Sequence, residues 1–131
     1  MIETIRSMDV VLCHIVRFRG LAEATTFYTP PESNLQVGDV VHPHGHEIVR
    51  HVHVPVARRP MPKAEVLLVR CGRCEIDVYD RNRKLVATRE LLAGDVAVLL
   101  DGGHGIRMLE DTVLFEVRDG PYLGPDEKEA F

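Results

Sequence analysis

Short apolar runs separated by turn residues make up most of the chain, and the 3.6-residue period of an amphipathic helix is nearly missing. Many of the runs are rich in β-branched residues, which are typical of strands. The runs recur about every ten residues, which predicts an all-β sandwich or barrel with less than about a tenth of its residues in helix. The predicted strands are Asp9 to Phe18, Asn34 to Val41, Glu47 to Val56, Ala64 to Cys71, Glu75 to Tyr79, Lys84 to Leu91, Val96 to Leu100, Ile106 to Leu109 and Thr112 to Arg118.

Two turns in this pattern predict hairpins. One is centred on Gly72, and it accounts for the Cys71–Cys74 spacing without a redox or zinc role. The other has Glu110 and Asp111 at its tip. In the strand that follows the second turn, the more apolar face is predicted to meet the core; its residues are Val113, Phe115 and Val117.

Length and charge limit the class of protein. A chain of 131 residues predicts one domain, 1–131, with a core that needs no disulfides. The net charge of −4 argues against a nucleic-acid partner, and no apolar run approaches the length of a membrane span. We therefore expect a cytoplasmic protein with neither a nucleic-acid nor a membrane partner.

Three histidines and one glutamate predict a metal site. His51 and His53 share one face if their segment is extended, because side chains two residues apart in a strand point the same way. Glu65 begins the next predicted strand, and His104 lies in a glycine-rich segment further on. Imidazoles with one carboxylate suit a divalent transition metal and leave positions open for water or substrate. We expect one such ion per chain, and the choice among Zn, Fe, Mn, Ni and Cu stays open.

A second group of histidines, His42, His44 and His46, is an alternative chelating segment. The intervening Pro43 and Gly45 favour a turn instead. One of these histidines remains a candidate to act next to the metal ligands or at the rim of a pocket.

The segment from Val54 to Ala64 is predicted to be a loop, since it contains three prolines. Its basic residues Arg58, Arg59 and Lys63 are candidates to bind an anionic ligand, with a solvated charged loop as the alternative.

Two further residues are candidates for proton transfer. Tyr122 is a candidate proton donor at the mouth of the fold. Glu116 alternates with the apolar residues of the last strand and is expected to face outward, with an inward role as acid or base as the alternative.

These motifs resemble those of the cupin superfamily. The first cupin motif is matched by Gly45, His51, His53, Glu65 and Gly72, with eleven residues between His53 and Glu65 where three or four are common. The second is matched by Gly94, Gly102 and His104, with Leu100 in place of its proline and with His104 one residue earlier than the motif places its histidine. The chain is also similar to a set of short single-domain bacterial cupins, through Gly102 to Gly105, Gly120-Pro121-Tyr122 and Glu127 to Phe131.

The resemblance implies a two-sheet jelly-roll barrel of antiparallel strands, a metal held by the histidines and glutamate, and a homodimer. The apolar strand Asp9 to Phe18 is the expected site of dimer pairing. Three functions stay open. The first is Lewis-acid isomerisation, epimerisation or cyclisation of a small anionic molecule. The second is a metal-dependent dioxygenase, and the third is a small-ligand binding module without catalysis.

Overall fold

The computed structural model describes residues 1–18, 20–57, 60–119 and 128–131. Within those residues the chain forms ten strands and no helix, and every strand pairing is antiparallel. The all-β prediction is therefore confirmed for the described chain. The strands are β1 Ile2–Ser7, β2 Val10–Val16, β3 Thr26–Phe27, β4 Gly38–Asp39, β5 Glu65–Cys71, β6 Arg73–Tyr79, β7 Leu85–Leu92, β8 Val96–Leu99, β9 Gly103–Met108 and β10 Val113–Arg118.

The chain divides into two compact units. The first, here called the sandwich unit, comprises Met1–Phe18 and Pro62–Phe131. The second, the inserted unit, is Arg19–Met61 and carries the short β3–β4 pair. The part of the chain that the structure describes contains no helix with the length and apolar character needed to cross a bilayer.

Two sheets form the sandwich unit. The larger has the strand order β1-β2-β8-β5-β10, and the smaller has the order β7-β6-β9. Their facing sides supply one core cluster, because alternate residues of each strand point to the same side. Among the described residues no strand is shared by the two sheets, so the strands do not close into the predicted barrel. The buried core residues include Ile15, Leu67, Val69, Ile76, Val78, Leu91, Ala97 and Leu99.

Both predicted hairpins are corners between the sheets. The turn at Gly72 carries the chain from β5 in the larger sheet to β6 in the smaller one, and residues 109–112 carry it back from β9 to β10. The two corners lie against each other. The Thr112 hydroxyl accepts a hydrogen bond from the Arg73 amide and donates one to the Arg73 carbonyl, at 3.1 and 3.0 Å. A sharp turn between two strands was correctly predicted at each place, but the pairing of those strands with each other was wrong.

The face assignment of the last strand is also wrong. Leu114 packs against the core, whereas Val113, Phe115 and Val117 are each about half exposed. Register explains the difference: Leu114 pairs with the fully buried Val69. Glu116, two residues further along, therefore lies on the inner face of the sheet and not on the outer face expected for it, and its role as acid or base stays a prediction.

Strand prediction failed mainly in the inserted unit. Glu47 to Val56 has no strand in the structure, and Asn34 to Val41 contributes only β4. The β-branched residues of the former segment are largely exposed, with Val52 at 87%. Conversely, β1 and β3 were not predicted.

The proposed route to a dimer lacks its structural premise. The strand at Asp9 to Phe18 corresponds to β2, which pairs with β1 on one side and β8 on the other. Its backbone groups are thus already used within the sheet. The edges of the larger sheet are β1 and β10, and the dimer itself stays a prediction.

Candidate functional site

Glu65 and His104 meet on the inner side of the sandwich unit. Glu65 pairs with Leu99 in register, so its side chain shares the inner face with that buried residue. His104 pairs with the buried Val78 in the opposite sheet. The His104 Nε2 and Glu65 Oε2 atoms lie 3.3 Å apart, with the side chains 30% and 12% exposed. The structure therefore brings together two predicted ligands that are 39 residues apart in the sequence.

Burial lowers the pKa of His104, and the positive charge of Lys128 acts in the same direction. The negative charges of Glu65 and Glu116 oppose this change without reversing it. A lowered pKa keeps the imidazole neutral near pH 7, and neutral imidazole is the form that coordinates metal ions.

β10 adds two more polar side chains to the same inner face. Glu116 pairs with the buried Leu67, and Arg118 pairs with Glu65. The Arg118 Nε and Glu116 Oε1 atoms are 3.7 Å apart. We call Glu65, His104, Glu116 and Arg118 the inner polar cluster. Sequence reasoning did not include Arg118 among the site residues, although it is two residues from Glu116 in the same strand and therefore shares its face.

A cavity of about 570 Å³ opens beside Glu65 and His104. Its wall contains four basic and four acidic side chains, so the formal charges balance. Arg81 makes a bidentate contact with Asp101, at 2.9 and 2.6 Å, and Lys63 also lines the wall. The lining residues are Pro62, Lys63, Glu65, Asp80, Arg81, Arg83, Leu99, Asp101, Gly102, Gly103, His104, Lys128, Glu129 and Phe131.

The donor geometry of the pair fits a metal ion. With metal–ligand distances near 2.1 Å, two donors of a tetrahedral site are about 3.4 Å apart, and those of an octahedral site about 3.0 Å. The observed separation of 3.3 Å between His104 Nε2 and Glu65 Oε2 lies in this range. One nitrogen and one carboxylate oxygen also suit the first-row divalent ions.

The other two predicted ligands belong to the inserted unit. The His51 and His53 rings are 5.1 Å apart in an edge-to-face arrangement, and His51 Nδ1 is 2.8 Å from the Val49 carbonyl oxygen. In the alternative chelating segment, the rings of His42 and His46 stack with their centroids 4.0 Å apart. Within the described residues of either unit, no three His, Cys, Asp or Glu side chains form a group arranged to hold a metal.

Three of the predicted binding and catalytic residues cannot be placed. Arg58, Arg59 and Tyr122 lie outside the described residues. Lys63 is on the cavity wall, and its role in binding an anion stays a prediction. The remaining wall residues of the Asp80–Lys84 turn and of the 128–131 segment were not predicted, because only tertiary structure brings them to His104.

Comparison with protein-family models, curated proteins and solved structures finds no match to this chain.

Proposed function

We propose that the protein binds one divalent transition metal ion through Glu65 and His104, with His51 and His53 as further ligands, and uses it on a small anionic molecule. The observation that supports this proposal is the 3.3 Å approach of His104 Nε2 to Glu65 Oε2 beside a cavity. His51 and His53 enter the proposal from their sequence motif alone.

The bound ion would act as a Lewis acid that polarises an oxygen atom of the substrate. The protein's own side chains supply the rest. Lys63 offers a cation at the wall for a carboxylate or phosphate. Glu116, on the inner face of β10, is the candidate to take or return a proton, and the Arg118 guanidinium lies 3.7 Å from its carboxylate. Leu99 and the buried residues behind it limit access of water from the core side.

The proposed family is the cupin superfamily. Its support is the order and spacing of the two motifs, together with the antiparallel all-β structure that places Glu65 and His104 side by side. A jelly-roll connection of the strands and a homodimer belong to this proposal.

Metal analysis tests the ligand set. Protein that has been loaded with Zn²⁺ and then dialysed is expected to retain one ion per chain, as measured by inductively coupled plasma mass spectrometry. The variants His104→Ala and Glu65→Gln should each lose most of it, and so should the double variant His51→Ala with His53→Ala. The matched control, His42→Ala with His46→Ala, removes two neighbouring histidines and should retain the ion. Full metal content in the His51/His53 variant would show that the motif assignment is wrong.

Absorption spectroscopy on the unsubstituted protein gives a test that does not depend on how a variant folds. X-ray absorption of the Zn²⁺ form is expected to show several imidazole ligands and no sulfur. A shell with no imidazole would contradict the proposal.

A second experiment distinguishes between the three candidate functions. Exchange of a substrate C–H proton with solvent deuterium, without oxygen uptake, is expected for Lewis-acid isomerisation or epimerisation. Oxygen uptake by the iron-, nickel- or copper-loaded protein would favour the dioxygenase instead. Ligand binding with neither signal would favour a binding module.

A further inference from the structure

Residues 128–131 cover part of the cavity with two different chemical groups. The Glu129 carboxylate lies 2.8 Å from the Arg83 guanidinium. The Phe131 ring packs edge-to-face on Tyr79, with the ring centroids 5.0 Å apart. Arg83 also lies over the Phe131 ring, 5.3 Å from its centroid. One guanidinium therefore meets both a carboxylate and an aromatic ring, which come from side chains two residues apart.

The Phe131 ring packs directly on the backbone of Gly103. A methyl group added at Gly103 would lie 3.0 Å from two atoms of the Phe131 ring. Gly103 is also the neighbour of His104, so the aromatic position adjoins the inner polar cluster. The ring site thus has an aromatic wall in Tyr79, a flat glycine floor and a cation above it.

The segment holds this position by weak contacts. Glu129 is 79% exposed and Arg83 is 49% exposed, and ion pairs with that much access to water are worth little. Phe131 keeps 60% of its surface exposed. A free molecule with the same two groups would gain the same contacts and would compete with the segment for them.

We propose that the part of the cavity at Arg83 and Gly103, together with the adjoining Tyr79 ring, is a binding site for small aryl carboxylates, and that residues 128–131 occupy it as an internal competitor. The ligand's carboxylate replaces that of Glu129 on Arg83, and its ring replaces Phe131 on Tyr79 and Gly103. This inference extends the proposed function by naming the ligand class of the same cavity. Its contacts do not include the metal, so either proposal can fail while the other stands.

Calorimetric titration of the metal-free protein tests the site. The probe is 3-phenylpropionate, with 3-phenylpropanamide as the uncharged control and butyrate as the control without a ring. Both controls are expected to bind about tenfold more weakly or not at all, because each lacks one of the two recognised groups.

Two variants separate the roles of the receptor and the competitor. Arg83→Asn removes the guanidinium while keeping a residue that tolerates the left-handed backbone at this position, where φ is 65°. It is expected to weaken 3-phenylpropionate binding about tenfold. Glu129→Gln with Phe131→Ala should strengthen binding about fivefold. A segment that is docked about four times as often as it is free leaves the site open about one fifth of the time, which lowers the apparent affinity of the original protein about fivefold. The control Glu110→Gln breaks a comparable exposed ion pair, to Arg73, and should change nothing.

A nuclear Overhauser effect from the Tyr79 ring to the ligand ring is expected in the original protein and does not depend on any variant. The proposal is overturned if 3-phenylpropionate fails to bind the Glu129/Phe131 variant at about 10 mM. It is equally overturned if Arg83→Asn binds as tightly as the original protein, if removing both competing groups leaves the affinity unchanged, or if the Tyr79 signal is absent.

Discussion

The buried carboxylate of Asp95 joins three parts of the sandwich unit, and replacing it by asparagine should destabilise the fold strongly. Asp95 Oδ2 accepts hydrogen bonds from Arg17 Nη1 at 2.8 Å and from the Leu92 amide at 3.0 Å. Its Oδ1 accepts one from the Phe18 amide at 3.0 Å. The side chain is only 7% exposed, so water cannot replace a lost partner readily.

The magnitude follows from counting what an amide can satisfy. Asparagine has one acceptor oxygen, so either the Phe18 amide or the Arg17 and Leu92 pair must face an NH₂ group. Leaving one buried donor unpaired costs about 1–3 kcal/mol, and losing the charge weakens the other two bonds by about 0.5–1 kcal/mol each. Asp95→Asn should therefore lower the free energy of unfolding by about 3 kcal/mol, and Tm by about 10 °C.

Thermal melts followed by circular dichroism measure this change. The control is Asp77→Asn, since Asp77 accepts a bond from the Thr88 hydroxyl on an exposed part of the smaller sheet; it should cost less than about 0.5 kcal/mol. A Tm for Asp95→Asn within about 2 °C of the original value would refute the reasoning. Because Asp95 precedes β8 and Glu65 pairs with the other end of that strand, ligand binding at low temperature should be unaffected.

The pH dependence of the same variant provides an independent check. Burial raises the pKa of Asp95, but hydrogen bonds from the Leu92 amide, the Arg17 guanidinium and the Phe18 amide more than offset it, so the pKa lies below its usual value. A carboxyl group with a lowered folded-state pKa stabilises the protein above the unfolded pKa, near 3.9, and loses that contribution as pH falls through the folded value. The gap between the original protein and Asp95→Asn should stay constant above about pH 5 and shrink below about pH 4.

Three other predictions concern the corners and the thiols. Gly72→Ala should lower stability by at least about 2 kcal/mol in urea titrations, because φ is 83° and the new Cβ would lie 2.3 Å from the Asp111 carbonyl oxygen. Thr112→Val should cost about 1–2 kcal/mol by removing both bonds between the corners. The exposed Cys71 should react with a thiol reagent in the folded protein, whereas Cys13 should react only on unfolding, since burial raises its pKa to about 12; equal rates for the two would contradict the core assignment.

Local pattern was sufficient to predict most strands of the sandwich unit but not the way they connect. Glycine turns flanked by apolar runs look the same whether the strands pair with each other or enter different sheets. The corner at Gly72 could not be distinguished from a hairpin for this reason. β1 was missed because its sequence is mostly polar apart from Ile2 and Ile5, and its pairing with β2 determines its structure.

The inserted unit shows the opposite failure. Its β-branched residues between 47 and 56 favour a strand by propensity, yet a strand also needs a partner to satisfy its backbone, and the structure shows none paired there. β propensity alone therefore predicted a strand in this segment where none forms.

The candidate site was predictable only as far as its motif. His104 and Glu65 follow from spacing, but the inward direction of Glu116 was missed because the outer face of β10 is the more apolar one. Polar residues on an inner face are the usual signature of a functional site, and that is where a rule based on hydrophobic alternation is expected to fail. The 128–131 segment depends on tertiary contacts that no local pattern encodes.

The strand order of the larger sheet also governs when the protein can fold. β8 lies between β2 and β5, so the hairpin of β1 and β2 cannot join the rest of the sheet until residue 99 is available. Pairing β2 with β8 closes a loop of about eighty residues, and such non-local pairings slow folding to milliseconds or seconds. During synthesis, the apolar residues of β2 therefore remain without their β8 partner while about eighty further residues emerge. This interval, rather than the finished fold, is when the protein is most exposed to aggregation.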